Sequence, residues 1–492
     1  MNRVHALAPI WIGALILIAG CAGYQEHRRT EPPVAVPPAW SEPQPASGQV
    51  TNAWLDDFSD PGLREIVSAA MAENFDLRAA AARVAAARAQ AAIDGADRLP
   101  QVSAGLGGAR SKRNSAGGQA ITSTRSNTFS TNLDIAWEVD IWGRLSDKAR
   151  AAAFELRATQ TDLTATRLAL AASIAKAWFD AKESGLLLAL AEQTVSNFIK
   201  NRQTIEEGFR DGINSALEVR LSRANVAAAE SEVALQRARR AAGVRSLEIL
   251  LGRYPAGKLI PAPDLPAINR RIPSGLPSEL LIRRPDIEAA EMRLAAAERR
   301  TAQARKNRLP SFRLTASSGT STSEFKDLLD PDFLIYAIAA NLGAPIFQGG
   351  RLRAEQERAA ANADELLAAY AQTLLRAFQE VETALSNDRH LADQEIALRA
   401  ASEESIAAEE LALEEYRAGL VDIITLLEAQ RRSFNSQNSL IQVSSQRVRN
   451  RIDLYLALGG SFDSDYSTGT KHGTESANVL TMTRDNNDET VH

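Results

Sequence analysis

One cysteine, five histidines and four methionines are spread over 492 residues. A lone thiol, Cys21, excludes an internal disulfide, and too few Cys and His residues remain to set up a zinc-type ligand spacing. The net charge of −5 lacks the basic footprint that a nucleic-acid partner requires, so none is expected. Catalytic signatures are missing too: there is no G-x-S-x-G, no H-E-x-x-H and no phosphate loop, and the few histidines lie away from candidate nucleophiles. Acidic pairs such as Glu403-Glu404 and Glu414-Glu415 read as solvated helix faces. Neither enzyme activity nor a cofactor or metal is expected.

What is present is a strand feeding a very long helix. From Phe129 to Val139 the apolar residues Phe129, Leu133, Ile135, Trp137 and Val139 hold odd positions. Ser130, Asn132, Asp134 and Glu138 hold even ones, giving one apolar and one wet face. After Gly143 the chain turns Ala-rich and charged, with no proline and no glycine before Gly185, which is a helical signal. The join returns at Gly349-Gly350-Arg351, behind a second alternating run that includes Leu334, Tyr336, Ile338 and Leu342. Superposing Gly143-Arg144 on Gly350-Arg351 also places Gly212 on Gly419 and Leu251-Gly252 on Leu458-Gly459, a shift of about 207 residues. One strand-and-helix unit is written twice.

The expected organisation follows in order. Residues 1–20 read as a secretory signal, because Arg3 and His5 precede an apolar run from Ala6 to Ala19 that is too short to span a membrane as a mature helix. Its end, Ile18-Ala19-Gly20-Cys21, resembles a bacterial lipobox, which implies cleavage before Cys21 and lipidation there. Residues 21–50 form a Pro-rich tether that cannot bury a core. The first repeat, 51–252, holds a helix from Leu63 to Leu99, strands at 101–112 and 127–140 flanking a surface loop around Ser115 to Ser126, then helices from Leu145 to about Glu207 and from Ser215 to Leu251. Prolines at 255, 261, 263, 266, 273 and 277 mark 253–277 as a connector. The second repeat, 278–460, has a helix from about Pro277 to Arg308, strands near 311–320 and 332–343, a helix from Leu352 to Arg417, and a return helix ending at Leu458. Residues 461–492 read as a disordered tail.

Four strands per chain cannot close a barrel, and open edges are not tolerated in lipid. Two chains would give about eight strands and a filled interior, whereas three would give about twelve and leave a lumen. A homotrimer is the smallest conducting solution. Phe129, Leu133, Ile135 and Trp137 would then face lipid, and Asn132, Asp134 and Glu138 the lumen. A soluble sandwich strand looks the same locally, but four short strands among such helices are too little sheet for a sandwich. Interleaved Ala and charge in the helices also suits a soluble coiled coil.

The run Leu280-Leu281-Ile282-Arg283-Arg284-Pro285-Asp286-Ile287-Glu288-Ala289-Ala290-Glu291 resembles the signature of TolC-like outer-membrane efflux lipoproteins. Leu309-Pro310-Ser311-Phe312, Pro345-Ile346-Phe347-Gln348-Gly349-Gly350-Arg351 and Trp137-Glu138-Val139-Asp140-Ile141-Trp142-Gly143-Arg144 match further patterns of that family. The resemblance runs from Cys21 to Gly460. It implies a mainly α fold with membrane β: a trimeric 12-stranded β-barrel, four strands per chain, continued by a long periplasmic α-helical barrel. It also implies a passive duct in the cell outer membrane, lipid-anchored and served by a periplasmic adaptor and an inner-membrane pump. The rival reading is a lipoprotein coiled-coil adaptor or scaffold, which would not need two alternating hairpins.

Three groups of residues carry the functional expectations. Cys21 is the lipidation site. Gly212, Ile213, Gly419 and Leu420 lie at the far ends of the helical hairpins and should point toward an adaptor; Arg417-Ala418-Gly419-Leu420 resembles the family's Val-Gly-Leu tip, with Ala418 in place of Val. Both glycines also serve simply to permit positive φ at a helix end. A periplasmic gate is expected at Arg210, Asp211, Tyr416, Arg417 and Asp422. Asp422 matches an acidic position lining the closed end of related ducts, and the other four are expected to supply inter-hairpin hydrogen bonds or ion pairs, with i-to-i+4 surface pairing the alternative. In Arg284-Pro285-Asp286, Pro285 suits a first helical turn and Asp286 a helix N-terminus. Trp137 and Trp142 read as interface or packing aromatics.

Overall fold

The protein is described by a computed structural model over residues 33–42, 53–117, 120–268, 272 and 275–460. Cys21 and the tail 461–492 lie outside the described residues. The elements are α1 (Pro61–Glu73), α2 (Phe75–Ala96), β1 (Gln101–Gly117), β2 (Ala120–Val139), α3 (Arg144–Arg210), α4 (Ala216–Leu250), α5 (Leu280–Arg283), α6 (Pro285–Lys306), β3 (Ser311–Thr322), β4 (Leu334–Gly343), α7 (Arg351–Arg417) and α8 (Ile423–Ala457). Helices α3 and α7 each have 67 residues, and α4 and α8 each have 35. Both pairs are offset by 207 positions, 144 to 351 and 216 to 423. At 1.5 Å rise per residue the long helices reach about 100 Å.

The helices lie side by side in two tiers. Near the sheet the order is α2, α3, α6, α7; beyond the middle it is α4, α3, α8, α7. Between the tiers sits the main apolar core, where Trp54 stacks on Tyr455 at 5.9 Å and Phe58 tilts against Phe179 at 5.3 Å. The segment 33–42 belongs to this core rather than to a free tether. Trp40 is buried against Phe378, its indole N–H donates to the Gly275 carbonyl at 3.0 Å, and the Ser41 amide donates to Glu382. A proline-rich context hid one large anchoring aromatic.

Two expected single helices are each broken. The run from Leu63 to Leu99 divides at Asn74, whose side chain accepts from the amides of Asp76 and Leu77 and caps α2. The run from Pro277 divides at Arg284, held extended before Pro285 as the proline ring requires. The surface loop expected around Ser115 to Ser126 is strand instead: β1 pairs with β2 from Gln101–Ala136 up to Gly117–Ala120. Ladder bonds and cross-strand contacts such as Ser111 Oγ to Ser126 Oγ, 2.8 Å, override weak intrinsic propensity.

Candidate functional site: sheet wall, clamps and hairpin tips

The four strands form one antiparallel sheet in the order β1-β2-β3-β4, with both edges unpaired within the chain. Register fixes the faces, because directly paired residues point the same way. Leu133 faces Ala104 and Ser318, Ile135 faces Val102 and Ala316, and Ser318 and Ala316 face Tyr336 and Ile338. The lower part of that face is mostly apolar, yet Leu106, Tyr336 and Ile338 are each more than 70% exposed. Such a surface in water would be a liability. The opposite face carries Ser103, Asn132, Asp134, Glu138, Arg313 and Asn341. The alternation read in β2 therefore extends to its neighbours β1 and β3, while β4 puts Ile335, Ala337 and Ala339 on the polar face.

The join from sheet to helix explains its sequence motif. Gly143 adopts φ 72°, and the Asp140 carboxylate reaches past it to accept from the amides of Leu145 (3.0 Å) and Ser146 (2.7 Å), capping α3. Trp137 donates to the Arg98 carbonyl and Trp142 to that of Pro310, so both tryptophans lock the sheet base to the preceding helix ends. At the second join no side chain among the described residues caps α7, and Ile346 and Phe347 are 92% and 88% exposed.

Clamps in the middle were not foreseen. Arg284, buried, donates twice to Asp286 (3.0 and 2.7 Å), to Glu380 (2.6 Å) and to the Ala457 carbonyl (3.1 Å). In the first repeat Asn74 donates to the Leu250 carbonyl at 2.8 Å, the position equivalent to Ala457. Both repeats thus close a helix end with a side chain from a helix break, and Gly252 and Gly459, at φ 70° and 68°, let the backbones approach. Lys182 is buried between Asp60 and Asp264 at 2.8 and 2.5 Å; burial opposes its charge, but the hydrogen bonds to Asp264 and Asp60 outweigh it and raise its pKa. Through Asp264 this ties the connector to the helices.

At the far end the hairpin turns are matched. Ile213 N–H donates to the Gly208 carbonyl and Leu420 N–H to that of Glu415, each beyond a glycine at φ 76° or 71°. Ile213 is 80% and Leu420 74% exposed, so each tip presents an uncovered apolar residue. Ser215 and Asp422, again 207 apart, are the N-caps of α4 and α8. Asp422 is exposed and accepts from the Thr425 amide (2.9 Å) and hydroxyl (2.8 Å), which hold its pKa below the usual carboxylate value.

The expected gate pairs differ from what one chain forms. Among the described residues Arg210, Asp211 and Arg417 make neither an inter-hairpin nor an i-to-i+4 ion pair; Arg210 only adds its field to that of Arg223 at Glu206. What joins the two hairpins is apolar: Ile205 and Val219 from the first pack on Ala412, Ile423 and Leu426 from the second. Tyr416 lies against this cluster, its hydroxyl buried beside Asn214, whose amide is spent on the Ile205 carbonyl. Burial, and then the charge of Glu218, raise the tyrosine's pKa.

Among the described residues there is no cluster of metal-ligating side chains, and no helix is long and apolar enough to cross a membrane. A family model described as outer membrane efflux protein matches residues 66–253 and 276–460. The pyoverdine export outer membrane protein OpmQ of Pseudomonas putida is 34% identical over 88% of this chain and 94% of its own. The solvent efflux pump outer membrane protein SrpC of Pseudomonas putida is 30% identical over 91% and 97%. The solved outer-membrane channel OprN superposes with a TM-score of 0.82 at 28% identity, covering 88% of this chain and 99% of that one.

Proposed function

The chain belongs to the outer membrane efflux protein family, and from that premise we propose how one copy contributes to a pore. It is the outer-membrane channel component of a tripartite efflux system, a passive duct through periplasm and outer membrane. The carrying observation is a four-stranded sheet with two free edges, one apolar exposed face and one polar face. Three copies supply twelve strands, which close the edges and leave a lumen. A wall of Ser, Asn and Thr with scattered charges, Asp134, Glu138, Arg313 and Arg113, wets that lumen.

The duplication supports a specific closure. Shifting β1 by 210 and β2 by 207 positions carries the pair Gln101–Ala136 onto Ser311–Gly343, so both hairpins share one register. Applying the same shifts to the β2–β3 pair Ile135–Ala316 sets Leu342 opposite Leu106 of the next copy. Cysteines at Leu342 and Leu106 together, but neither alone, should give a thiol-crosslinked ladder ending at trimer, in protein that conducts in planar bilayers. A monomer that never enters a bilayer would overturn the duct.

The finer reading concerns both ends. Cys21 is the lipid anchor, with residues 1–20 removed. Gly212, Ile213, Gly419 and Leu420 are the adaptor-docking tips, supported by two uncovered apolar side chains on matched turns. Arg210, Asp211, Tyr416, Arg417 and Asp422 form the periplasmic gate, with Arg210, Asp211 and Arg417 left to pair between copies.

A further inference from the structure

The outer part of the β1–β2 hairpin is strongly cationic and carries no acid. Between Gln101 and Leu133 the chain has Arg110, Lys112, Arg113 and Arg125 and not one Asp or Glu. Register divides these four. Lys112 lies directly opposite Arg125 and Arg110 opposite Asn127, on the face shared with Leu106, Phe129 and Leu133; Arg113, opposite Thr124, is on the lumen face.

Two cations directly opposed across an antiparallel pair repel each other. Nothing among the described residues relieves this. Arg110, Lys112 and Arg125 are exposed and make no ion pair or side-chain hydrogen bond among the described residues, and the acids of the β3–β4 connection do not pair with them. The height of the cluster is informative. Arg110 and Lys112 stand eight and ten residues beyond Val102 on β1, about 26 and 33 Å along the strand. At a tilt near 45° that is roughly 19 and 23 Å of height, the outer edge of an apolar band about 25 Å tall. Just below them Phe129 packs edge-on against Phe325 at 5.6 Å, an aromatic pair of the kind that marks a membrane interface.

We propose that Arg110, Lys112 and Arg125 form a binding site, once per chain, for the phosphate groups of an outer-leaflet glycolipid whose acyl chains lie along the Leu106–Leu133 face. The assignment rests on the barrel reading, which turns this face to lipid. The phosphate supplies the counter-charge that the hairpin lacks, and the arginine forks can engage its oxygens in pairs.

The test uses the full-length, lipid-extracted trimer and bisphosphorylated lipid A, counted by native mass spectrometry and by retention on lipid A vesicles. Wild type should retain three lipid A molecules per trimer and prefer vesicles containing it at least tenfold over phosphatidylcholine alone. Arg110→Gln/Lys112→Gln/Arg125→Gln should lose that preference, Lys112→Gln alone should reduce it several-fold, and Arg113→Gln on the lumen face should keep it. Equal retention by the triple variant and wild type, an equal loss in Arg113→Gln, or equal binding of dephosphorylated lipid A would overturn the site. Should the triple variant not assemble, unchanged retention in Lys112→Gln would overturn it as well. Binding of inorganic phosphate with no preference for lipid A would also count against a lipid site. Wild type that fails to insert into any bilayer would instead bring down the barrel reading; insertion without lipid A preference removes this proposal alone.

Discussion

Replacing Arg284 by Ala tests whether the middle of the molecule is held by one guanidinium. Its side chain is 9% exposed and serves Asp286, Glu380 and the Ala457 carbonyl at once. Breaking a buried ion pair by deleting one partner costs about 3–5 kcal/mol. Here the carboxylates are 41% and 53% exposed and can rehydrate, which lowers that cost. The Ala457 carbonyl loses a donor at a buried position, worth about 1–3 kcal/mol. A combined loss near 3 kcal/mol per chain is a factor of about 100 in the local opening equilibrium. Hydrogen exchange should therefore quicken by about that factor at the amides of Gly459 and Gly460, which donate to Leu456 and Tyr455 at the end of α8. Arg284→Lys should recover only part, since an ammonium cannot reproduce the fork. Asn74→Ala, which removes one bond to Leu250 at this end and, separately, the cap of α2, should accelerate the equivalent site around Gly252 by only about 5- to 10-fold. Exchange within threefold of wild type in Arg284→Ala would refute the clamp.

Cys21→Ser should abolish palmitate incorporation while heat-resistant trimers persist, because a closed barrel anchors more firmly than acyl chains; unchanged labelling refutes the anchor. Gly419→Trp or Gly212→Trp, placing bulk at φ 71° or 76°, should abolish efflux with trimers intact, and normal efflux in either strain would argue against docking there. Asp422→Ala should weaken cation block in planar bilayers and loosen the start of α8 at neutral pH. Its carboxylate pKa is lowered by the Thr425 bonds, so its capping contribution is present above the unfolded value and lost as pH falls through the folded one; equal exchange at pH 7 in mutant and wild type refutes it. Glu409, on α7, runs the other way. Burial first, then Glu410, raise its pKa above 4.5 against the Ser433 hydroxyl, so its contribution is lost as pH rises through the folded value. Glu409→Gln should slow exchange around Ser433 at neutral pH, and faster exchange there would contradict this.

Legibility followed the range of the interactions. Helix length and turn position were readable because Gly212 and Gly419 end proline-free, Ala-rich runs, and each turn is closed by bonds to carbonyls five residues back. Strand β2 was readable because its alternation is local. Its partner β1, with Gly105, Gly107 and Gly108, takes its stability from the ladder, and on β3 Gly319 is needed because a Cβ there would run into the Thr131 backbone carbonyl. The helix breaks did leave signals. Asn74 two residues before Asp76 is an N-cap pattern, and Arg284 before Pro285 is sterically barred from the helix, but a dense alanine series masks the first and the helical run that continues past the proline masks the second.

The tip was the least legible part, because its chemistry depends on copies that one sequence does not bring together. The duplication nevertheless sets the pattern such copies must have. Ser215 and Asp422 cap equivalent helices 207 positions apart, so six caps ring a trimeric tip and only every second one is charged. Ser215 satisfies its helix through a reciprocal box with Glu218, and that places the acid one turn inside the helix, bonded back to the Ser215 amide at 2.5 Å. Asp422 satisfies its own with the carboxylate itself, at the very end. The two repeats solve the same capping problem with oppositely placed charge. The N-cap acids are therefore threefold, Asp422 alone, while the first hairpin carries its acid on the other side of the turn, at Asp211, the C-cap of α3.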